Sequence, residues 1–308
     1  MTDITQALLP VFLVILFGYA LRRIEFPGDE FWPHVERLVY FVLFPVLLFG
    51  KLASAPLEQL STAPMIVVLL VSIFVIATLT LLLRPWLKID GPVFSSLFQG
   101  NVRFNSYVAI AIAIMLDPTT GLTLAAIAVI TMVPLLNVLC VVVLAFHASR
   151  EQPDWRSIAS ALLRNPLIIG CFAGISVNLL AVPLPQTVWR LADILGAGAL
   201  PLGLLAVGAA LRFEQIQDNR MIILLSVAIK LLVFPAVAWC MCILLEVDLH
   251  TRSMILLFTA LPTAGSAYVL ARQMGGAHTL MASIITLQTL ISVITVPIIL
   301  AFSTWAGS

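Results

Sequence analysis

The sequence has few charged residues, and this scarcity excludes an ordinary soluble protein. Of its 308 residues, 10% are charged and 61% are hydrophobic, and the mean hydropathy is +1.11. A soluble domain carries about 25% charged residues. The composition therefore predicts a polytopic membrane protein, whereas the formal net charge of +1 points to no particular partner.

Patterns typical of metal sites, cofactor sites and enzymes are also missing. The four histidines are far apart, and the sequence contains no HExxH, no GxSxG and no pair of intramembrane aspartates. We therefore predict no metal, no cofactor and no enzymatic activity, with a membrane enzyme or receptor kept as an alternative. The cysteines form no CxxC pair and are expected to be small buried residues: Cys140, Cys171, Cys240 and Cys242.

No aspartate or glutamate falls near the middle of an apolar run, but two basic residues do. Arg103 is central in residues 93–116, which as one helix would be about 36 Å long. That length crosses a hydrocarbon core of about 30 Å, where an arginine costs at least about 2.5–3.5 kcal/mol. Lys230 lies ten residues into a later run. Two buried cations without an anion suggest an anionic substrate. The alternatives are a polar knot that only packs helices, and a Lys230 that braces the fold through backbone carbonyls.

The chain contains ten apolar segments, whose ends are uncertain by about two to four residues. The first has Arg22 and Arg23 after it and no basic residue before it, so we expect a permanent span and not a signal peptide. The predicted fold class is an all-α membrane protein of ten helices. The segments are 4–21, 35–52, 64–83, 93–116, 119–146, 165–180, 191–211, 221–245, 252–274 and 279–302.

The basic residues of the loops predict the orientation. The loops after helices 1, 3, 5, 7 and 9 hold eleven Lys and Arg, and the opposite side holds three, namely Lys51, Arg190 and Arg252. Under the positive-inside rule, both termini are then non-cytoplasmic, in the inner (plasma) membrane. The eleven are Arg22, Arg23, Arg37, Arg84, Lys88, Arg150, Arg156, Arg164, Arg212, Arg220 and Arg272.

The two halves of the chain resemble each other. Pro10, Gly18 and Pro45 recur 156 positions later as Pro166, Gly174 and Pro201, and residues 106–108 match 267–269 at an offset of 161. We therefore predict repeats at 1–148 and 165–308 joined by a cytoplasmic hinge at 149–164. Because each repeat has an odd number of spans, the second is inverted. Inverted repeats with interrupted helices are typical of secondary transporters.

Both predicted interruptions fall about halfway through a span. In helix 4 the stretch from Gln99 to Tyr107 is polar, and in helix 9 Pro262 and Gly265 disfavour a regular helix. Unwound backbone at that depth is tolerated only within protein or beside a cavity, and two opposed half-helix N-termini would attract an anion. We predict crossover or hinge positions at Gly100, Pro45, Pro201 and Pro262. The predicted substrate-binding residues are Asn101, Arg103, Asn105, Ser106, Asn137, Lys230, Pro262, Thr263, Gly265, Ser266 and Gln288.

These motifs resemble the bacterial members of the auxin efflux carrier family. The resemblance rests on the Gln-Gly-x-x-Arg-x-Asn pattern from Gln99 to Asn105 and on the segments 164–167, 200–203, 230–235 and 261–264. It implies the inverted-repeat fold shared with bile-acid transporters and sodium–proton antiporters, with helices 4 and 9 broken and crossing. It also implies a scaffold of helices 1, 2, 6 and 7 and a transport unit of helices 3–5 and 8–10.

The resemblance implies an elevator-type permease for a small organic anion. The plant auxin exporters have a proline at the helix 4 crossover, and its absence from residues 101–105 argues against auxin. The partners expected are a carboxylate substrate, the lipid bilayer and a second copy bound through the scaffold helices. An anion channel and a sodium-coupled symporter of the bile-acid type are the alternatives. Because no acidic residue lies at mid-depth, uniport or proton movement through Lys230 is the predicted coupling.

Overall fold

The structure, a computed structural model, describes residues 2–55, 62–148, 163–211 and 219–305. Side chains are described from residue 8 to residue 303. Residues 149–162 of the predicted hinge, with its basic residues Arg150 and Arg156, lie outside these ranges. So does Arg212, another of the basic residues counted for orientation.

Every regular element in the described ranges is helical, which confirms the predicted all-α class. The α-helices are α1 (Thr2–Arg23), α2 (Phe31–Leu38), α3 (Phe44–Ala53), α4 (Ala63–Leu87), α5 (Gly91–Val102), α6 (Ser106–Leu116), α7 (Gly121–His147), α8 (Pro166–Leu179), α9 (Gln186–Ala209), α10 (Arg220–Ala228), α11 (Phe234–Leu244), α12 (Leu249–Ala260), α13 (Ser266–Gln273) and α14 (His278–Trp305). Two π-helical turns are π1 (Val39–Leu43) and π2 (Ile229–Val233).

Within the described ranges, five helical stretches are long and apolar enough to cross a membrane, and α8 is a shorter apolar helix. The membrane class predicted from composition is thereby supported. One cysteine departs from the expectation: Cys240 is exposed on α11, while the other three are buried. An outward-facing position suits it, since a thiol behaves as a small apolar group. The five stretches are 63–87, 121–147, 186–209, 220–244 and 278–303.

The two π turns each come directly before a Phe-Pro pair. Pro45 follows π1 and Pro235 follows π2, each near the start of the next α-helix. Proline has no N–H to donate to the preceding turn, and its ring clashes with that turn. A widened π turn is one way for a helix to continue past this defect. The backbone thus stays helical through α2, π1 and α3, and through α10, π2 and α11.

Four glycine-mediated contacts bring helices of the two halves close together. A Cβ on Gly18 of α1 would lie 2.1 Å from the carbonyl oxygen of Leu205 on α9. A Cβ on Gly174 of α8 would lie 2.7 Å from the carbonyl oxygen of Phe49 on α3. Similar contacts at Gly170 and Gly208 extend both interfaces. Small residues that allow such backbone contact are the usual means of helix association in lipid.

Two helices are interrupted within the predicted polar stretches. The backbone leaves the helix between Val102 and Ser106, so that α5 and α6 are separate, and again between Ala260 and Ser266, which separates α12 from α13. The extended residues at these breaks include Arg103 and Leu261. By contrast, α9 continues through Pro201 as one helix.

Candidate functional site

The two helix interruptions meet each other through the backbone. The amide of Asn105 donates a hydrogen bond of 2.8 Å to the carbonyl of Pro262. Phe104 and Phe258 pack edge to face beside this bond, with ring centroids 5.5 Å apart. The crossing therefore has its own apolar packing as well as a hydrogen bond that replaces one lost from the helices.

The N-termini of the two half-helices at the crossing differ. The side chain of Asn105 accepts hydrogen bonds from the amides of Tyr107 and Val108, so it caps α6. Gly265 precedes α13 without any side-chain cap, and Ser266 at the start of α13 is exposed. The N-terminus of α6 is thus capped by a side chain, whereas at α13 no side chain caps the helix, and the amides of Ala267 and Tyr268 donate to the carbonyls of Ala264 and Gly265 at 3.1 and 3.0 Å.

Thr263 and Gln288 connect the break in the second half to α5 of the first half. Gln288 Oε1 accepts from the Thr263 amide at 2.9 Å, and Gln288 Nε2 donates to the Gly100 carbonyl at 3.0 Å. Thr263 Oγ1 donates to the same carbonyl at 2.8 Å, and Gln288 Nε2 also reaches Ser226 Oγ at 3.1 Å. All four of these residues are buried. They act as a brace that provides hydrogen bonds to backbone groups of the unwound segments, because lipid cannot form hydrogen bonds with these groups.

Gly100 is required by this close approach. A Cβ at this position would lie 2.7 Å from Ser226 Oγ and 2.8 Å from Ile284 Cγ2. Those distances are shorter than van der Waals contact. The glycine predicted as a hinge therefore allows α5 to approach α10 and α14.

Arg103 is the charged group of the crossing. Its Nη2 donates to Asn137 Oδ1 at 3.2 Å and reaches Ser266 Oγ at 3.5 Å, while its Nη1 is buried with no partner among the described residues. The residue is partly buried, and Ser266 is exposed. Asn137 follows Pro134 on α7 and is partly buried. The structure thus brings together three predicted residues from α7, the first break and α13.

The polar residues of α5 lie deeper in the protein. Asn101 donates from Nδ2 to Thr80 Oγ1 of α4 at 3.1 Å, and both side chains are buried. Asn101 Oδ1 and both amide atoms of Gln99 have no hydrogen-bond partner in the described chain. Asn101 therefore faces α4 and does not join Arg103.

Lys230 is enclosed within the second π turn. Its side chain is 0% exposed, and its Nζ lies 4.3 Å from the centroid of the Phe234 ring. No described carbonyl or carboxylate accepts a hydrogen bond from it. A cation over an aromatic face gains about 2 kcal/mol or more when desolvated. The structure places this ammonium against an aromatic ring and not against the carbonyls of the breaks.

The predicted hinge prolines have different surroundings. Pro45 lies at the α3–α8 contact, where its carbonyl oxygen would be 2.5 Å from a Cβ on Gly170. Pro201 lies exposed within α9. Ser106 is the first residue of α6 and is partly buried.

Three side chains at the crossing were not predicted: Glu36, Tyr40 and Tyr107. A Cβ on Gly265 would lie 3.9 Å from Glu36 Oε1. Tyr107 stacks on Phe44 with centroids 4.6 Å apart. The apolar segment was predicted to begin at residue 35, which places Glu36 at its very start. The helix in fact begins at Phe31, and Glu36 lies within it.

A separate polar cluster lies at the far end of α6. Asp117 accepts hydrogen bonds from Thr119 and Thr120, and its Oδ2 is 3.2 Å from His250 Nε2. Burial alone would raise the pKa of Asp117, but these hydrogen bonds outweigh burial and hold the pKa below its usual value. The cluster ties the α6–α7 loop to α12. It lies at the end of α6 opposite the crossing.

Comparisons with known proteins agree with the motifs. Residues 155–300 match a family model described as "Membrane transport protein". Over 305 residues the chain is 25% identical to a protein of Rhizobium meliloti (strain 1021) described as "Putative malonate transporter", covering 96% of this chain and 94% of that protein. Together the two similarities confirm the resemblance that the motifs indicated.

Proposed function

We propose that the chain is a secondary carrier of the auxin efflux carrier type, and not an enzyme, and that it carries a small organic carboxylate; the match to a membrane transport protein family and the similarity to a transporter support this. The name of its relative supports this substrate class, since malonate is a small dicarboxylate. The surroundings of Arg103 support it independently.

The observation that carries the proposal is that the Arg103 guanidinium has no anionic partner among the described residues. Its Nη1 has no partner among the described residues, and its Nη2 bonds are to neutral groups at 3.2 and 3.5 Å. A planar guanidinium binds a carboxylate through two parallel hydrogen bonds. The uncapped start of α13 adds a second attraction for an anion at Ser266. Asn137 and Ser266 would then contact the bound carboxylate alongside Arg103.

The proposed architecture is ten spans in two inverted five-helix repeats. Supporting contacts recur between equivalent positions: Gly18 meets Leu205, and Gly174 meets Phe49. Gly174 follows Gly18 by 156 positions, and Leu205 follows Phe49 by the same 156. A repeat related by a two-fold axis in the membrane plane produces such an exchange of contacts.

Transport would proceed by movement of one helix set against the other. In this proposal α1, α2, π1, α3, α8 and α9 form the scaffold, and α1 packs on α9 as α3 packs on α8. The remaining helices hold the crossing and form the transport unit. The proposal keeps both termini non-cytoplasmic in the inner membrane and places a homodimer contact on the scaffold helices.

The experiment is a ligand screen by thermal shift on the purified protein. A ligand that binds only the folded state at a hundred times its Kd stabilises it by about 2.7 kcal/mol. Malonate and propionate are compared with malonamide, which has nearly the same shape as malonate but no charge. Stabilisation by the carboxylates and not by malonamide is expected. Equal shifts with all three, or none with any carboxylate, would contradict the proposal.

Sodium coupling is a second candidate, favoured by one observation. Gln99 Oε1 and Asn101 Oδ1 are buried amide oxygens on α5 without a described partner. Sodium is a hard cation and binds through several converging oxygens, so these two could supply part of a site. Carboxylate binding that strengthens with sodium and not with potassium would support it. Identical binding in the two salts would exclude it.

A further inference from the structure

An acidic side chain lies near the N-terminus of α13, which no side chain caps. Glu36 belongs to α2 and is partly buried. Its Oε1 lies 3.9 Å from the position that a Cβ on Gly265 would take. The carboxylate makes no hydrogen bond or ion pair with another described residue. The Glu36 carboxyl group therefore lies at the edge of the candidate site without a hydrogen-bond or ion-pair partner among the described residues.

Opposite charges flank the same turn of the chain. Arg103 Nη2 reaches Ser266 Oγ at 3.5 Å, on one side of the Gly265–Ser266 turn, while Glu36 approaches Gly265. Two tyrosines line the surroundings: Tyr107 is within electrostatic range of Glu36, and Tyr40 is within that of Arg103. The described lining of the site thus holds one basic side chain, Arg103, and one acidic side chain, Glu36.

Other ionisable groups on the elements around Glu36 are more distant or exposed. On α9, which packs against α2, Gly203 contacts Val39, and the charged residues Arg190 and Asp193 lie at least about 15 Å farther along the helix. The turn π1 also packs on α2, and its ionisable residue is Tyr40.

The ionisable groups on α13 and on α2 itself are also distant from Glu36 or exposed. Arg272 is exposed and follows Ser266 by six residues, about 9 Å along α13. The neighbours of Glu36 on its own helix and at its N-cap are exposed: Glu30, His34 and Arg37. Arg103 is the cation that meets the same Gly265–Ser266 turn as Glu36.

We infer that Glu36 restricts the ligand to one net negative charge, so that a dicarboxylate binds together with one proton. This inference rests on the proposed function and specifies its substrate class. One carboxylate of the ligand pairs with Arg103. The other, placed at the start of α13, meets Glu36.

Two carboxylates that share a site in low dielectric do not both ionise, because their repulsion favours a shared proton. The proton comes from water and forms an O–H···O bond between Glu36 and the distal carboxyl. No bond of the ligand breaks. The N-terminus of α13, with about half a positive charge, offsets part of the negative charge that is left. A monocarboxylate has no distal carboxyl and binds without a proton.

The test is titration calorimetry of the purified full-length protein with malonate, in two buffers of different ionisation enthalpy. The pH is neutral to mildly alkaline, where both carboxyls of free malonate are ionised. The wild type should take up about one proton per malonate, and its Kd should rise by about tenfold per pH unit. Glu36→Gln should take up none and show a Kd independent of pH. Propionate should bind without proton uptake to both proteins.

Glu30→Gln is the matched control, since it makes the same substitution on an exposed residue at the start of the same helix. It should behave like the wild type, and the thermal unfolding of each variant reports its folding. Malonate binding to the wild type without proton uptake would overturn the inference, as would equal uptake by Glu36→Gln. Uptake lost in Lys230→Met but kept in Glu36→Gln would assign the proton to Lys230 and overturn it too. Failure of every carboxylate to bind the wild type would instead refute the proposed function itself.

Discussion

Replacing Gln288 with methionine tests whether this residue is a brace or a ligand. Methionine has nearly the same length and volume, so the substitution removes hydrogen bonds and leaves little cavity. The variant loses the bond from the Thr263 amide at 2.9 Å and those to Gly100 O and Ser226 Oγ at 3.0 and 3.1 Å. The Gly100 carbonyl keeps its bond from Thr263 Oγ1. The Thr263 amide is left buried and unpaired.

The expected cost follows from these contacts. Hydrogen bonds between membrane helices contribute about 0.6 kcal/mol each on average, so three amount to about 2 kcal/mol. An unpaired buried amide adds about 1–3 kcal/mol. We therefore expect Gln288→Met to lower the free energy of unfolding by about 3–5 kcal/mol without ligand, and to leave the ligand affinity of the folded fraction unchanged.

The assay is thermal unfolding in detergent followed by ligand titration. Thr289→Val is the matched control, because Thr289 is the adjacent buried residue of α14 and its Oγ1 donates to Ile285 O of the same helix, at 2.7 Å. Thr289→Val should lower the free energy of unfolding by less than about 1 kcal/mol. A Gln288→Met protein as stable as Thr289→Val, but with weakened carboxylate binding, would refute the brace and make Gln288 a ligand.

Three further predictions follow from other parts of the molecule. A cysteine placed at Glu151, in the hinge outside the described residues, should be labelled only from the cytoplasmic side. External labelling in intact cells would overturn the orientation. Gly100→Ala should destabilise the protein by about 1–3 kcal/mol in thermal unfolding, because its Cβ would meet Ser226 Oγ at 2.7 Å. Gly265→Ala should not destabilise the protein, because the new Cβ would lie 3.9 Å from its nearest neighbour. Equal stability of the Gly100→Ala and Gly265→Ala variants would contradict the close approach of helices at Gly100. Asp117→Asn should lower the free energy of unfolding by about 1.5–3 kcal/mol at neutral pH. Because the folded pKa of Asp117 lies below its unfolded value, this advantage of the wild type should persist down to about pH 4 and shrink below it in unfolding experiments. Equal stability of Asp117→Asn and the wild type at neutral pH would refute this prediction.

The two interruptions of the helices could be predicted because their chemistry is local. A proline and a glycine in an apolar run, or an arginine among asparagines, conflict with a regular lipid-facing helix wherever they occur. The residues near Arg103 and Pro262 are therefore recognisable from sequence alone. The two π turns have a local signal as well, because a Phe-Pro pair follows each of them, at Pro45 and at Pro235.

The roles of individual polar residues could not be predicted in the same way. Asn101, Asn105 and Asn137 have the same side chain, but one bonds to α4, one caps α6 and one supports Arg103. Which of these occurs depends on the rotation of each helix, and apolar periodicity is too weak in a span that is hydrophobic on all sides. Glu36 was missed for another reason, since segment ends are uncertain by about two to four residues. The helix begins at Phe31, four residues before the predicted start, so Glu36 lies within the helix and not at its first turn.

The central claim is that Arg103 binds the carboxylate of the substrate, and calorimetry of malonate binding to Arg103→Lys tests it most directly. Lysine keeps the charge but loses the planar pair of donors, so we expect binding to weaken by about tenfold, equivalent to about 1.4 kcal/mol. Arg84→Lys is the control, because Arg84 packs over Phe94 on α5, 5.4 Å from its centroid and away from the crossing. It should bind as the wild type does. An Arg103→Lys protein that is folded and binds malonate with unchanged affinity would contradict the account.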